Sequence, residues 1–244
     1  MLLEAESISK SFGGFLAVDD ASLAVAEGEI VGLIGPNGAG KSTFFNCLAG
    51  DFRPSQGTVR FDGIDVTAAP AEKHARLGIG RTFQVPATFE ELTILENVMV
   101  GAFLRHPREP DARAAALVAL ELTGLERIAH LPAGTLGTPG RKRLGIARVL
   151  ATEPRLMLLD EALAGLNPGE IQQAIELVRR IHRTGITLVI VEHIMEVILT
   201  LAERIVVFNQ GRVIASGRPQ EIVNDPAVID AYLGHAHARR ALQP

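Results

Sequence analysis

Apolar and polar positions along this chain fall into runs of two kinds. Ile30 to Ile34, Leu156 to Leu159 and Thr187 to Val191 are apolar almost without interruption, the pattern of strands buried on both faces of a parallel sheet. Leu2 to Ile8 and Ala21 to Val25 predict further strands, with turns at Gly13-Gly14 and Glu27-Gly28. Asp62-Gly63, inside Gly57 to Asp65, is a strong hairpin signal and adds to a small antiparallel sheet. A second hairpin is predicted over Arg204 to Asn209, Gln210-Gly211 and Val213 to Ser216. From about Ala87 to Thr152 the pattern turns helical. Ala112 to Leu122 is almost all good helix formers, and Arg105 to Asp111 reads as a polar, Pro-bearing loop before it. Gly169 to His182 predicts a helix ended by Gly185, and Pro219 to Asn224 and Pro226 to Leu233 predict two short ones.

The order predicts an α/β chain: a parallel core sheet, a flanking antiparallel β subdomain, and an α-helical subdomain over about 87–152. All belong to one domain spanning 1–234, with a frayed tail over 235–244. Bulk properties narrow this further. At 244 residues and 47% hydrophobic, the chain has ample material for a core. Its formal charge of −4 argues against nucleic-acid binding by general electrostatics. Cys47 is the one cysteine, so no intrachain disulfide forms; the reading is core packing in a reducing compartment. The most apolar region, Ile186 to Phe208, is broken by Glu192, His193, Glu196, Glu203 and Arg204, too short an apolar span to cross a membrane. No basic-then-apolar secretion signal opens the chain.

Directly after the strand Ile30 to Ile34, the stretch Gly35-Pro36-Asn37-Gly38-Ala39-Gly40-Lys41-Ser42 fits the phosphate-binding loop pattern G-x-x-x-x-G-K-[ST]. The glycines let successive amide N–H groups converge on one anion. Lys41 supplies a cation for the outer phosphates, and the Ser42 hydroxyl is a candidate Mg²⁺ ligand. Thr43 to Leu48 predicts a helix whose positive end faces the same phosphates, stopped at Gly50. Strand, loop and helix fall where the pattern requires them, which places the parallel sheet in the P-loop NTPase (RecA-like) class.

The strand Leu156 to Leu159 ends in Asp160-Glu161. After a phosphate loop, an acid in that position holds Mg²⁺, and a second carboxylate beside it can orient or deprotonate the attacking water. Val189-Ile190-Val191-Glu192-His193 repeats the arrangement, and His193 can donate to a terminal phosphate as readily as it can pack. Gln84, following Arg81-Thr82-Phe83, is within the repertoire of metal or water contacts but unremarkable alone.

In this order, phosphate loop, Gln84, helical segment, Asp160-Glu161 strand and His193, the chain resembles the ATP-binding cassette (ABC) ATPases over roughly Leu2 to Leu233. The resemblance implies ATP with Mg²⁺, sandwiched between two cassettes in a head-to-tail dimer. It implies Phe12 for adenine stacking, with Phe15 as the neighbouring alternative. It implies Gln84 as the Q-loop, Glu161 as general base, Ala164-Gly165-Leu166-Asn167 as the loop crossing the dimer seam, and His193 as the switch histidine. The nucleotide-contacting set is then Phe12, Gly35, Pro36, Asn37, Gly38, Ala39, Gly40, Lys41, Ser42 and Thr43, with Ser42, Gln84 and Asp160 toward the metal.

One segment departs from the family. Its signature Leu-Ser-Gly-Gly-Gln aligns with Leu136-Gly137-Thr138-Pro139-Gly140, so a hydroxyl is missing at Gly137 and a backbone donor at Pro139. Arg141-Lys142-Arg143 follows, where basic residues oppose the helix dipole but can help hold an anion. Ala162 also replaces a Pro common in relatives. The asymmetry favours a heterodimer with a second ATPase subunit carrying an intact signature, with a slow homodimer as the alternative.

Four further segments are similar to branched-chain amino-acid importer ATPases and their amide or urea relatives: Gly80-Arg81-Thr82-Phe83-Gln84, Leu92 to Val98, Ala164 to Pro168 and Asp225 to Val228. That likeness implies membrane permease partners, indirectly a solute-binding protein, and a peripheral place on the cytoplasmic face of the inner membrane. Phe83 to Val98 is the expected coupling groove. The alternatives are a lipopolysaccharide-export cassette, a soluble ABC-type switch in DNA repair or translation, and a small-molecule kinase. The remaining histidines show no metal-ligand spacing.

Overall fold

A computed structural model describes residues 1–83 and 87–232. In chain order the elements are β1 (Leu3–Phe12), β2 (Phe15–Val25), β3 (Ile30–Ile34), α1 (Lys41–Ala49), β4 (Gln56–Phe61), β5 (Ile64–Asp65), α2 (Ala71–Leu77), β6 (Ile79–Arg81) and α3 (Ile94–Ala102). Then follow α4 (Glu109–Thr123), α5 (Thr138–Leu150), β7 (Leu156–Asp160), α6 (Pro168–Arg183), β8 (Thr187–Val191), α7 (Met195–Leu201), β9 (Arg204–Asn209), β10 (Arg212–Gly217) and α8 (Pro219–Ile222). The chain divides into two compact units, one formed by Met1–Ala71 with the chain from Val189 onward, the other by Glu72–Leu188.

The first unit holds two sheets. One is antiparallel, in the order β2-β1-β4-β5. Its β4–β5 turn is Asp62-Gly63, and the left-handed φ values of 51° and 75° are what a tight hairpin turn demands of those two residues. In the other sheet the order β10-β9-β3-β8 includes a parallel β3–β9 pair in which Leu33 faces Val206. All five residues of β3 are buried, as are all five of β8. A strand covered on both faces has no use for polar alternation, which is why these two read as plain apolar runs. Phe44 of α1 stacks at 5.0 Å on Phe208 of β9 and both are fully buried. Each such ring contributes roughly 1.5–3 kcal/mol by leaving water.

In the second unit, β7 pairs in parallel with β6, and β8 enters from its N-terminal end. Helices α3, α4 and α5 pack on one another. Thr93 starts α3 with a capping box in which its hydroxyl accepts from the Glu96 N–H while Glu96 reaches back. Asn167 does the same for α6 with Glu170, and Pro168 opens that helix where its missing N–H costs nothing to the fold.

Two expectations shift. Helix α4 begins at Glu109, inside the stretch expected to be loop, because Pro110 sits in the first turn where proline is tolerated. Likewise α2 and β6 are elements that the hydrophobic pattern does not announce: each is short, Gly78 stands between them, and Gly80 lies inside β6. Gly50, by contrast, stops α1 in the left-handed conformation (φ 81°) as its position predicts. No helix among the described residues is long and apolar enough to cross a membrane.

Candidate active site

The phosphate loop leaves β3 at Gly35 and enters α1 at Lys41. Two of its glycines are required by space as well as by backbone angle. A Cβ at Gly35 (φ 149°) would overlap the carbonyl oxygen of Phe208, and one at Gly40 (φ 95°) that of Ala17. The left-handed Gly40 caps α1 without any side-chain acceptor, and no acid stands in the first turn. The first-turn N–H groups and the positive end of the helix dipole are therefore left for an external anion. Lys41 is 95% withdrawn from solvent, its Nζ donating to the carbonyl oxygens of Gly35 at 2.6 Å and Pro36 at 2.9 Å. That geometry holds the ammonium over the mouth of the loop. The Ser42 side is exposed, and Thr43 is partly so.

Phe12, at the end of β1, is 43% exposed, packs edge-on against Phe52 at 5.4 Å and carries the Lys10 ammonium 5.0 Å from its ring. Phe15, at 69%, is more exposed still. The same unit brings His193 two residues beyond the buried end of β8, exposed, next to a buried Glu192. Behind α1, Cys47 is buried, and that burial pushes its thiol up to about 11. It is packing, as its sequence position suggests. Tyr232 comes from the C-terminal helical turn; burial raises its phenol, and a hydrogen bond with the Gly35 backbone partly offsets this.

In the second unit, Asp160 ends β7 at 7% exposure. Arg81 of β6 donates to its Oδ2 at 2.9 Å, and its own N–H donates to the Thr82 hydroxyl at 3.1 Å. Glu161 adopts φ 46°, a left-handed conformation unusual for a non-glycine residue and costing of order 1–3 kcal/mol. Such strain concentrates where a side chain must be aimed. Gln84 lies outside the described residues.

Comparison with known proteins identifies the family and the fold. Residues 18–164 match the family model described as ABC transporter. The chain belongs to the ABC transporter family. A second model, for branched-chain amino acid ATP-binding cassette transporters, matches residues 212–238. The high-affinity branched-chain amino acid transport ATP-binding protein BraF of Pseudomonas aeruginosa is 40% identical, covering 96% of this chain and 98% of its own. A lipopolysaccharide export ATP-binding protein of Acidithiobacillus ferridurans is 38% identical, covering 96% and 97%. A crystal structure of the ADP conformation of an ABC transporter's ATP-binding cassette superposes with a TM-score of 0.87 at 32% identity, covering 96% and 98%. This ABC cassette is an ATPase, with the family's P-loop NTPase fold.

Against that family, the segment Leu136 to Gly140 stands apart. It forms the entry to α5, with Gly137 as an N-cap that has no side chain and Pro139 within the first turn. The three cations after it are engaged inside their own unit. Arg141 donates to Glu90 at 2.6 Å and to the Leu136 carbonyl at 3.0 Å, Lys142 to the Glu161 carbonyl at 3.1 Å, and Arg143 to Gln173 at 2.6 Å. The expectation that they help hold an anion thus meets competing internal partners.

Sequence reasoning missed two residues here. Arg81 pairs with Asp160 across 79 positions, a partnership that no local pattern reveals. Asn97, fully buried on α3, uses both ends of its amide: Oδ1 accepts from Phe89 N–H at 3.0 Å, while Nδ2 donates to the carbonyls of Phe89 and Thr93, each at 2.9 Å. It pins the loop before α3. Its only sequence signal is a polar residue on the apolar face of a helix.

Proposed function

We propose that the chain energises an importer for branched-chain amino acids or related small polar solutes, working with membrane permease subunits at the cytoplasmic face of the inner membrane. The observation that carries this is the match of residues 212–238 to the branched-chain cassette model, with the BraF likeness along nearly the whole length. In the site, the N–H groups at the entry to α1 and the Lys41 ammonium bind the phosphates. Glu161 positions water and takes its proton as general base, and His193 donates to the terminal phosphate. Ser42 and Asp160 are hard oxygen donors of the kind Mg²⁺ takes, so we assign both to the metal, which supplies charge neutralisation when bound. Gln84 is assigned by family likeness to metal, water and permease contact, and Phe12 to the adenine.

The poor donor set of Leu136 to Gly140 supports pairing with a different ATPase subunit. A head-to-tail dimer of that kind makes one nucleotide site with this chain's Lys41 and Glu161 and another with its altered signature. Only the first is then competent. The groove lined by Phe83, Val100 and Arg148 is the surface we assign to the permease. A solute-binding protein completes the system indirectly.

The test is uptake of radiolabelled leucine and of urea into proteoliposomes holding the chain with its cognate permease subunits, plus their binding protein. ATP-dependent uptake of either solute is expected. Lipopolysaccharide extraction instead of uptake would transfer the chain to the export reading, which the 38% identical relative favours.

A further inference from the structure

A groove of about 250 Å³ lies within the second unit, against α3, α5 and the end of β6. Its walls are mostly apolar, with Phe83 59% and Val100 44% exposed. Gly101 lets α3 run close to α5, since a Cβ there would overlap the Arg148 carbonyl oxygen. Among the described residues, three cations border the groove, Arg81, Lys142 and Arg148, and no Asp or Glu lines it.

The three are not equivalent. Arg81 faces the Asp160 carboxylate, and Lys142 donates to the Glu161 carbonyl. Arg148 is half-buried and has only neutral company among the described residues. Its Nη1 donates to the Ala87 carbonyl, and its guanidinium lies 5.2 Å over the Phe89 ring. Burial alone pushes its pKa down, with no carboxylate to offset it. A planar guanidinium held at the wall of an apolar groove presents a fork suited to a carboxylate. A charge kept so poorly compensated inside one chain is compensated by what docks there.

We propose that the permease segment seated in this groove presents an Asp or Glu side chain to Arg148. This rests on the transporter reading above. Arg148 then fixes the register of the docked segment as well as adding to its hold, because the ring of Phe89 and the Ala87 carbonyl already restrict the guanidinium.

The experiment is co-purification of the cognate permease subunits, from detergent-solubilised membranes, with the full chain and with Arg148→Glu, Arg148→Lys and Val100→Arg. Melting and ATP binding of each isolated variant serve as the folding check, and Arg148→Lys carries the test if the reversal does not fold. Arg148→Glu is expected to lower permease recovery at least tenfold, and Arg148→Lys less. Single Asp or Glu to Lys changes through the permease's cytoplasmic segments are then expected to restore recovery with Arg148→Glu at one position, and not with Val100→Arg. A purely structural Arg148 gives no such rescue. If Val100→Arg abolishes recovery while no charge swap rescues Arg148→Glu, the carboxylate is overturned and the groove stands. If Val100→Arg and Arg148→Glu both recover permease at the parent level, the groove assignment itself fails. Loss of binding to phosphatidylglycerol vesicles by Arg148→Glu, with permease recovery unchanged, makes the anion a lipid phosphate and also overturns the proposal.

Discussion

The entries to α1 and α5 are built from the same device, a helix N-terminus following a glycine-rich stretch, yet only one is equipped for an anion. At α1 the left-handed Gly40 turns the chain so that the first-turn donors face outward, and the Lys41 ammonium rests on the loop's own carbonyls at its mouth. At α5 the cap is an extended Gly137 (φ −70°), a proline occupies the first turn, and the following cations are drawn to Glu90, the Glu161 carbonyl and Gln173. For folding, Pro139 is harmless, since a helix leaves its first N–H groups unused. For binding, those unused groups are the site. The comparison teaches that a substitution neutral to stability can remove function when function lives in the backbone donors that folding leaves over.

The sharpest way to break this contrast is at α1, set against a change at the proposed general base. Lys41→Ala is expected to cost at least about a hundredfold in ATP hydrolysis and to weaken ATP binding, whereas Glu161→Gln loses a factor of about 10²–10⁴ in hydrolysis with binding kept. Steady-state phosphate release and equilibrium nucleotide binding separate the two. Equal loss of binding in both would remove the division of labour between cation and base.

Repairing α5 is the complementary test. Gly137→Ser with Pro139→Gly restores one hydroxyl and one N–H, and each recovered hydrogen bond is worth about 1 kcal/mol, roughly fivefold. ATPase of the assembled complex should rise by about that factor or more. Unchanged turnover would mean that this helix end contributes nothing to either nucleotide site.

A smaller effect concerns the loop behind α5's cations. Asn97→Ala strands the Phe89 N–H, leaves the Phe89 carbonyl only its bond from the Leu92 N–H, and should lower unfolding free energy by about 1–3 kcal/mol in urea titration. Nucleotide affinity of the isolated chain should be untouched, since the phosphate loop lies in the other unit.

The smallest expected effect is on the α1 side. With the buried Cys47 thiol raised to about 11 from 9.0, the unfolded chain ionises first as pH climbs. The stability this thiol contributes is complete below about pH 9 and lost as pH rises toward 11. Cys47→Ala should flatten that part of the urea midpoint against pH, and an unchanged slope would place the thiol in a more solvated setting than its burial indicates.

How far the residues announce all this depends on range. The phosphate loop, the three buried strands, the Asp62-Gly63 turn and the Gly50 stop are legible because each follows from a few adjacent residues. The departure at Leu136 to Gly140 is legible too, as a pattern with donors missing. By contrast, α2 and β6 escape because elements of seven and three residues are too short to carry a period, and the start of α4 is misjudged because Pro110 serves both loops and first turns. Arg141-Lys142-Arg143 reads as an available basic cluster, and its internal partners appear only once Glu90 and Gln173 are brought alongside.

By itself the sequence determined where the backbone bends around an anion, which strands are covered on both faces, and which donors are absent at the second helix end. Those outcomes rest on φ preferences, apolar run length and the missing N–H of proline, all local properties. Tertiary structure decided which charges are satisfied: Asp160 by Arg81, Lys142 by a carbonyl, and Arg148, among the described residues, by an aromatic face and a carbonyl. Electrostatic compensation depends on distance and burial between residues far apart in the chain, and neither is written in any local pattern.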